Sequence, residues 1–338
     1  MSELRMREPR LDITAAPHLH APVSTSKIMW TVVYTLVPII AASAYFFGIS
    51  ALLVIGTTAV AALATERLVG GRDPIRDGSA TITGLLLGLI LPAGMPLWMA
   101  ALGGSVSILM GKALFGGLGQ NVFNPALVGR AFLQAAFPTA ITTWPAVGGG
   151  FFTLRGDNFA LPLMSANAPD VVTQATPLGL MKFEQQATDT AALFFGNTGG
   201  SVGETSAALI VLMGLYLAWK GYLNWRIPAS ILLTTAVFTG ALNLAGATDY
   251  TPVFMLLSGG LMLGAVYMAT DMVTSPVTNA GAWIFGAGIA FLVVLIRIWG
   301  GLPEGVMYAI LLMNALVPFI NQVTQPRVFG VARKAVAR

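Results

Sequence analysis

The stretch KIMWTVVYTLVPIIAASAYFF, residues 27–47, decides the fold. After Lys27 it carries no charged side chain, and as a helix rising 1.5 Å per residue it is long enough to cross a hydrocarbon core of ~30 Å. Nine further apolar runs follow, over residues 50–68, 78–92, 96–115, 124–137, 204–220, 227–246, 252–270, 280–299 and 305–323. Composition agrees: of 338 residues, 56% are hydrophobic and 9% charged, against roughly 25% charged in an average soluble domain. The expectation is an all-α polytopic membrane protein with about ten transmembrane helices. About twenty-five mostly polar residues precede the first run, so no cleavable signal peptide is read.

Basic residues set the orientation. With a cytoplasmic N-terminus, Arg5, Arg7, Arg10, Lys27, Arg67, Arg72, Arg76, Lys112, Lys220, Arg226 and the tail from Arg327 to Arg338 all fall on the cytoplasmic side. Arg155, Lys182 and Arg297 fall outside, and Arg130 falls within a span. This positive-inside bias supports an even number of crossings, with both termini cytoplasmic. The chain then divides into a cytoplasmic segment (1–26), a first five-helix repeat (27–137), an extracytoplasmic loop (138–203), a second five-helix repeat (204–323) and a basic cytoplasmic tail (324–338).

The two halves echo one another. GLLLG at 84–88 matches GLMLG at 260–264, and GGLGQNV from Gly116 matches GGLPEGV from Gly300, in the same order. Five helices per half force opposite orientations, hence an inverted 5+5 repeat. Two first-half spans are short: residues 78–92 would reach about 22 Å and 124–137 about 21 Å as helices. Both open on helix-starting residues, Asp77 with Ser79 and Asn124 with Pro125. Half-length helices with N-termini inside a membrane protein suit anionic or carbonyl-rich groups; turns that merely continue the helix are the alternative.

Within the long loop, DVVTQATPLG at 170–179 is polar against apolar surroundings. Pro177 biases Thr176 towards extended backbone and so presents its hydroxyl. An ordinary Ser/Thr turn would read the same way.

Composition also excludes chemistry. There is no cysteine, so disulfides, thiolate-held clusters and thiol catalysis are out. The only histidines, His18 and His20, are too few for a protein-built zinc site, and no metal site is expected. No basic cluster interleaves with aromatics, so no nucleic acid is expected as a partner; membrane lipid is. No dinucleotide-binding GxGxxG unit or P-loop appears, so the chain cannot by itself collect electrons from a nicotinamide. Ionisable residues in or beside spans are costly and informative: Arg130, Asp77, Asp271 and Glu204 stand out, yet no acidic chain crosses the midplane.

Four segments carry a family resemblance: PHLHAPVSTSKIMWTVVYTLVP at 17–38, GGLGQNVFNPALVGRAF at 116–132, DVVTQATPLG, and GGLPEGVMYAILLMNALVP at 300–318. The chain resembles the D subunits of Rnf electron-transport complexes, which are related to the B subunits of the sodium-pumping NADH:quinone oxidoreductases. That resemblance implies FMN attached through its phosphate to the last threonine of D-x-x-[ST]-x-A-T, here Thr176, with Asp170, Thr173 and Ala175 completing the pattern. Gln174 stands where the family more often has a small residue. The resemblance further implies a flavin transferase for maturation and partner subunits of the Rnf complex. With them the chain would be one subunit of a translocase passing electrons between ferredoxin and NAD⁺ and driving Na⁺ or H⁺ across a bacterial inner membrane. It also implies non-covalent riboflavin near Asn121 and Asn124, whose amides suit a flavin's uracil-like edge; capping of the short fifth helix suits Asn124 equally. Arg130 is expected to balance flavin or carboxylate charge, or to snorkel. Two rival readings remain: the corresponding B subunit of the quinone-reducing relative, and a flavin-free channel or transporter, since inverted repeats with broken helices are a transporter architecture.

Overall fold

The computed structural model describes residues 23–70, 77–162, 174–204 and 206–326, and every regular element among them is helical. Asp170, Thr173, both histidines and the basic tail lie outside the described residues. Six helices are long and apolar enough to cross a membrane: α1 (Thr25–Phe47), α2 (Ile49–Gly70), α4 (Leu97–Gly111, continued to Phe115), α10 (Arg226–Leu244), α13 (Asn279–Trp299) and α14 (Val306–Thr324). Two shorter apolar helices, α3 (Ser79–Leu89) and α9 (Ala207–Trp219), and the short α5 (Pro125–Ala136) complete the two halves. The protein is a multi-pass membrane protein, and long helices alone do not make up the expected count of ten.

Local chemistry explains the starts and stops. Ser24 caps α1, its hydroxyl accepting from the Lys27 amide at 3.3 Å. Asp77, one residue before the Gly78 N-cap, accepts from both the amide and the hydroxyl of Ser79, at 2.7 and 2.6 Å, and so engages the first residue of α3. Asn124 caps α5, with Pro125 at the first helical position, where its missing N–H costs nothing.

Packing repeats between the halves. In the first, α2 packs against α3 and α4, and α4 against α5; in the second, α10 packs against α13 and the short α11 (Pro252–Leu257), and α13 against α14. Each half lets two backbones touch at a glycine: a Cβ on Gly104 of α4 would meet the Thr58 carbonyl oxygen of α2 at 2.7 Å, and one on Gly286 of α13 would meet that of Ile227 in α10 at 2.8 Å. The halves join where α1 meets α9 and α5 meets α14, and one apolar core runs through both.

The span expected over 252–270 is interrupted. Helix α11 ends at Leu257, Gly259 turns with φ of 63°, and the chain resumes as α12 (Leu261–Leu263) followed by a wide turn, Gly264–Met268. The break is tolerated because the fully buried Arg297 of α13 reaches it. Its guanidinium donates to the carbonyls of Met255 at 2.6 Å and Ser258 at 2.9 Å, groups that would otherwise cost several kcal/mol each in an apolar interior.

The segment between the halves is built from short helices, α6 (Pro138–Thr142), α7 (Pro177–Gly179, continued by a wide turn to Glu184) and α8 (Thr190–Phe195), where the sequence suggests irregular loop. It is tied down by side chains that bind backbone. Arg155 donates to the carbonyls of Phe46, Ala146 and Gly148, and Asn158 to those of Ala93 and Met95. Beyond α3 the Leu91 carbonyl accepts from the Val202 amide at 3.0 Å, and the Leu89 carbonyl from that of Gly203, so the short helix ends without orphaned acceptors.

Candidate functional site

Thr176 has φ −68° and ψ 154°, the extended conformation that Pro177 favours, and it caps α7 by accepting from the Gly179 amide at 3.1 Å. The apolar side of this element is seated: Leu178 and Met181 pack with Tyr250, Phe254, Met255 and Val294. Its basic side is pinned. Lys182 donates to the carbonyls of Ile296, Arg297, Gly300 and Leu302, capping the C-terminal end of α13. Gln174 and Ala175 are exposed beside it, the Gln174 amide donating to the Trp144 carbonyl at 2.9 Å.

Thr176 lines a cavity of about 440 Å³ together with Arg130, Glu204, Glu304 and the broken-helix residue Gly259. Arg130 of α5 lies 2.9 Å from Glu304 and 3.9 Å from Glu204. Glu304 also accepts from the Gly260 amide at 2.8 Å. Burial pushes Glu304 upward, but Arg130, Arg297 and the Gly260 amide outweigh it and hold the carboxyl below its ordinary range. Glu204 goes the other way: burial first, then the neighbouring Glu304, push it up to about 7 against the pull of Arg130. Two residues 46 positions apart in the sequence, Arg130 and Thr176, therefore share one cavity wall.

Asn121 and Asn124 border a second, smaller cavity of about 100 Å³, with Lys112, Ser79, Tyr267 and Asp271. The Asn124 oxygen accepts from the amides of Ala126 and Leu127, at 3.1 and 3.4 Å, while its nitrogen donates to the Met268 carbonyl at 3.2 Å. Asn121 donates to the Phe123 carbonyl at 3.3 Å. Lys112 is buried, 2.7 Å from Glu66 and 2.6 Å from the Ser79 hydroxyl. The capping role of Asn124 is thus present in the geometry, and its amide nitrogen is already engaged.

The two cavities show how the halves are oriented. Helix α5 starts with Asn124 and Pro125 at the smaller cavity and reaches the larger one through Arg130 and Gln134. Helix α14 has Met307 and Tyr308 in its first turn at the larger cavity and brings the Asn314 side-chain amide back to within 3.2 Å of the Asn124 backbone nitrogen. The two helices run in opposite senses. Sequence reading missed Glu304, Arg297 and the Lys112–Glu66 pair; the matched strings at 116 and 300 were the available signal, since each loop borders one cavity.

Fold and site define a class: a helical membrane protein of two similar halves with a broken helix, holding a buried charge cluster beside a presented threonine. The chain belongs to the NQR2, RnfD, RnfE family, whose model matches residues 12–330. It is similar to the D subunit of the proton-translocating ferredoxin:NAD(+) oxidoreductase complex of Clostridium ljungdahlii, at 43% identity over 98% of this chain and 100% of that one. It is similar to the D subunit of the Na(+)-translocating counterpart of Acetobacterium woodii, at 39% identity over 97% and 98%. The D subunit of the ion-translocating oxidoreductase complex of Stutzerimonas stutzeri is 40% identical over 91% and 92%.

Proposed function

We propose that this chain is the flavin-bearing membrane subunit of an ion-translocating ferredoxin:NAD⁺ oxidoreductase complex, with FMN joined through its phosphate to Thr176. It acts as a relay with partner subunits and is not catalytic alone. The observation that carries the reading is the placement of Thr176 on the wall of a cavity of about 440 Å³, within the ~300–1,000 Å³ of ordinary ligand sites. The hydroxyl oxygen accepts from the Gly179 amide, a bond that a phosphoester oxygen can still accept. FMN would supply one- and two-electron exchange there. The protein supplies the rest: Arg130, paired with Glu304, lines the cavity wall, Leu178 and Met181 fix the attachment turn, and Lys182 ties it to α13. Asp170, Thr173 and Ala175 complete the motif that a flavin transferase would read.

We also propose riboflavin at the Asn121 and Asn124 cavity. The amide chemistry suits it, whereas a volume of about 100 Å³ requires the walls to open before a tricyclic ring enters. The membrane is the bacterial inner membrane, with both termini cytoplasmic, on the strength of the basic-residue bias. The relatives are named for different coupling ions, H⁺ in one and Na⁺ in another, and the proposal extends to either ion.

The test is covalent labelling. Thr176→Ala should abolish flavin fluorescence of the denatured chain on a gel and electron transfer through the complex, with the protein still inserted. Thr173→Ala should keep some label. Full fluorescence in the Thr176→Ala protein, or an adduct on Thr173 by mass spectrometry, rejects the assignment.

A further inference from the structure

Glu204 is buried, its side chain 8% exposed, yet its Oε1 has no hydrogen-bond partner. The groups facing it come from four places: Arg130 on α5, Glu304 on the loop before α14, Arg297 on α13, and Ser201 on its own loop. A Cβ added to Gly260 would meet Glu304 Oε1 at 2.6 Å and Glu204 Oε1 at 2.8 Å, so both carboxyl groups close on one point. Arg130 is bound tightly to Glu304 and only loosely to Glu204, while Arg297 is committed to the carbonyls of the broken helix. Glu204 is left as a carboxyl group with little compensation, on the wall that Thr176 also lines.

We propose that Glu204 is the proton-exchanging residue of this cavity: when the group carried by Thr176 is reduced, the Glu204 carboxylate takes up one proton from the aqueous phase, and it releases that proton on reoxidation. The inference rests on the reading that Thr176 carries flavin. The electron comes from the donor side of the complex; the one new bond is O–H at a Glu204 oxygen, and the proton leaves bulk water. Negative charge added to a low-dielectric cavity raises the proton affinity of a nearby carboxylate, and by linkage the bound proton favours reduction by the same factor. Burial and Glu304 already push Glu204 up to about 7, so near neutrality it is poised between its two forms. Glu304, held low by Arg130 and the Gly260 amide, stays ionised throughout.

The experiment follows the flavin of this chain by absorbance in the purified complex, at fixed potentials and several pH values, with the Thr176→Ala complex as the blank. The flavin's own protonation contributes to every variant, so the comparison between variants isolates Glu204. Above pH about 7, the reduced-to-oxidised ratio of the wild type should fall up to tenfold more per pH unit than that of Glu204→Gln. Glu204→Asp, which keeps a carboxyl group, should retain the extra slope with a displaced onset. Equal slopes in wild type and Glu204→Gln, with flavin still attached, overturn the proposal. A wild-type signal no different from the blank rejects the attachment reading itself, and this inference with it.

Discussion

The guanidinium of Arg130 lies 2.9 Å from the Glu304 carboxylate, joining α5 of the first half to the loop that precedes α14 in the second. The side chains are 9% and 20% exposed, so this pair lies largely out of water and removing either member deprives the other of its shortest ionic contact. Arg130→Met should therefore destabilise the protein by about 3–5 kcal/mol, while Arg130→Met with Glu304→Gln should recover much of the loss. Thermal unfolding of the detergent-solubilised complex measures both, and additive losses in the double variant would show that the two residues do not act as a pair.

Lys182 lies six positions after Thr176 and donates to four carbonyls at the end of α13. Hydrogen bonds to a charged donor are each worth ~1.5–3 kcal/mol. Lys182→Met should release the turn that follows Thr176 from α13 while leaving the helices in place. Hydrogen exchange should rise in residues 176–184 and at 300–302, with α1 and α2 unchanged. Protection equal to wild type in both segments would remove the pin from the account.

The two asparagines of the smaller cavity separate by substitution. Asn124→Ala deletes a cap bonded to two amides and should cost ~1 kcal/mol of stability whether or not flavin binds. Asn121→Ala removes bonds to the Phe123 carbonyl and to the Asp271 carboxyl group, and should cost a similar amount. Loss of extractable riboflavin from the Asn121→Ala protein, with the label on Thr176 intact, supports a flavin site. Unchanged riboflavin in the double variant returns both residues to a structural role.

Orientation is testable by reporter fusion. A fusion after Ala160 should read as extracytoplasmic, and fusions after Arg72 and Arg333 as cytoplasmic. A cytoplasmic signal at Ala160 would overturn the placement of Thr176 on the outer side.

What the sequence made legible was periodic or local. The apolar runs at 27–47 and 280–299 appear as α1 and α13, because twenty or so apolar residues have few alternatives in lipid. Asn124 with Pro125, and Asp77 with Ser79, read correctly as helix starts because capping is decided within three residues. The break at residues 258–260 was not legible: GLMLG resembles an uninterrupted apolar helix, and the carbonyls it frees are satisfied by Arg297, about forty residues away. The larger cavity was half legible. Arg130 and Thr176 stand out singly, but nothing local says that they share a wall with Glu204 and Glu304, which reach it from different loops.

Glu204 gives the stability of the protein a pH dependence whose sign is fixed. Its folded value lies near 7 against an ordinary 4.5, raised by burial and by Glu304. The unfolded chain therefore loses its proton at lower pH than the folded one. Stability from this group is fully present below about 4.5 and is lost as pH rises through about 7. The shift corresponds to about 3–4 kcal/mol at most, at 1.36 kcal/mol per pH unit. Glu304 has the opposite sign, but its window lies lower, below the ordinary carboxylate value, and does not overlap the range from 6 to 8. Between pH 6 and 8 the melting temperature of the wild type should fall more than that of Glu204→Gln, which has nothing to titrate at this position. Parallel curves for the two proteins would mean that Glu204 ionises like an exposed glutamate, and its place as the weakly compensated carboxyl of the cavity would be lost.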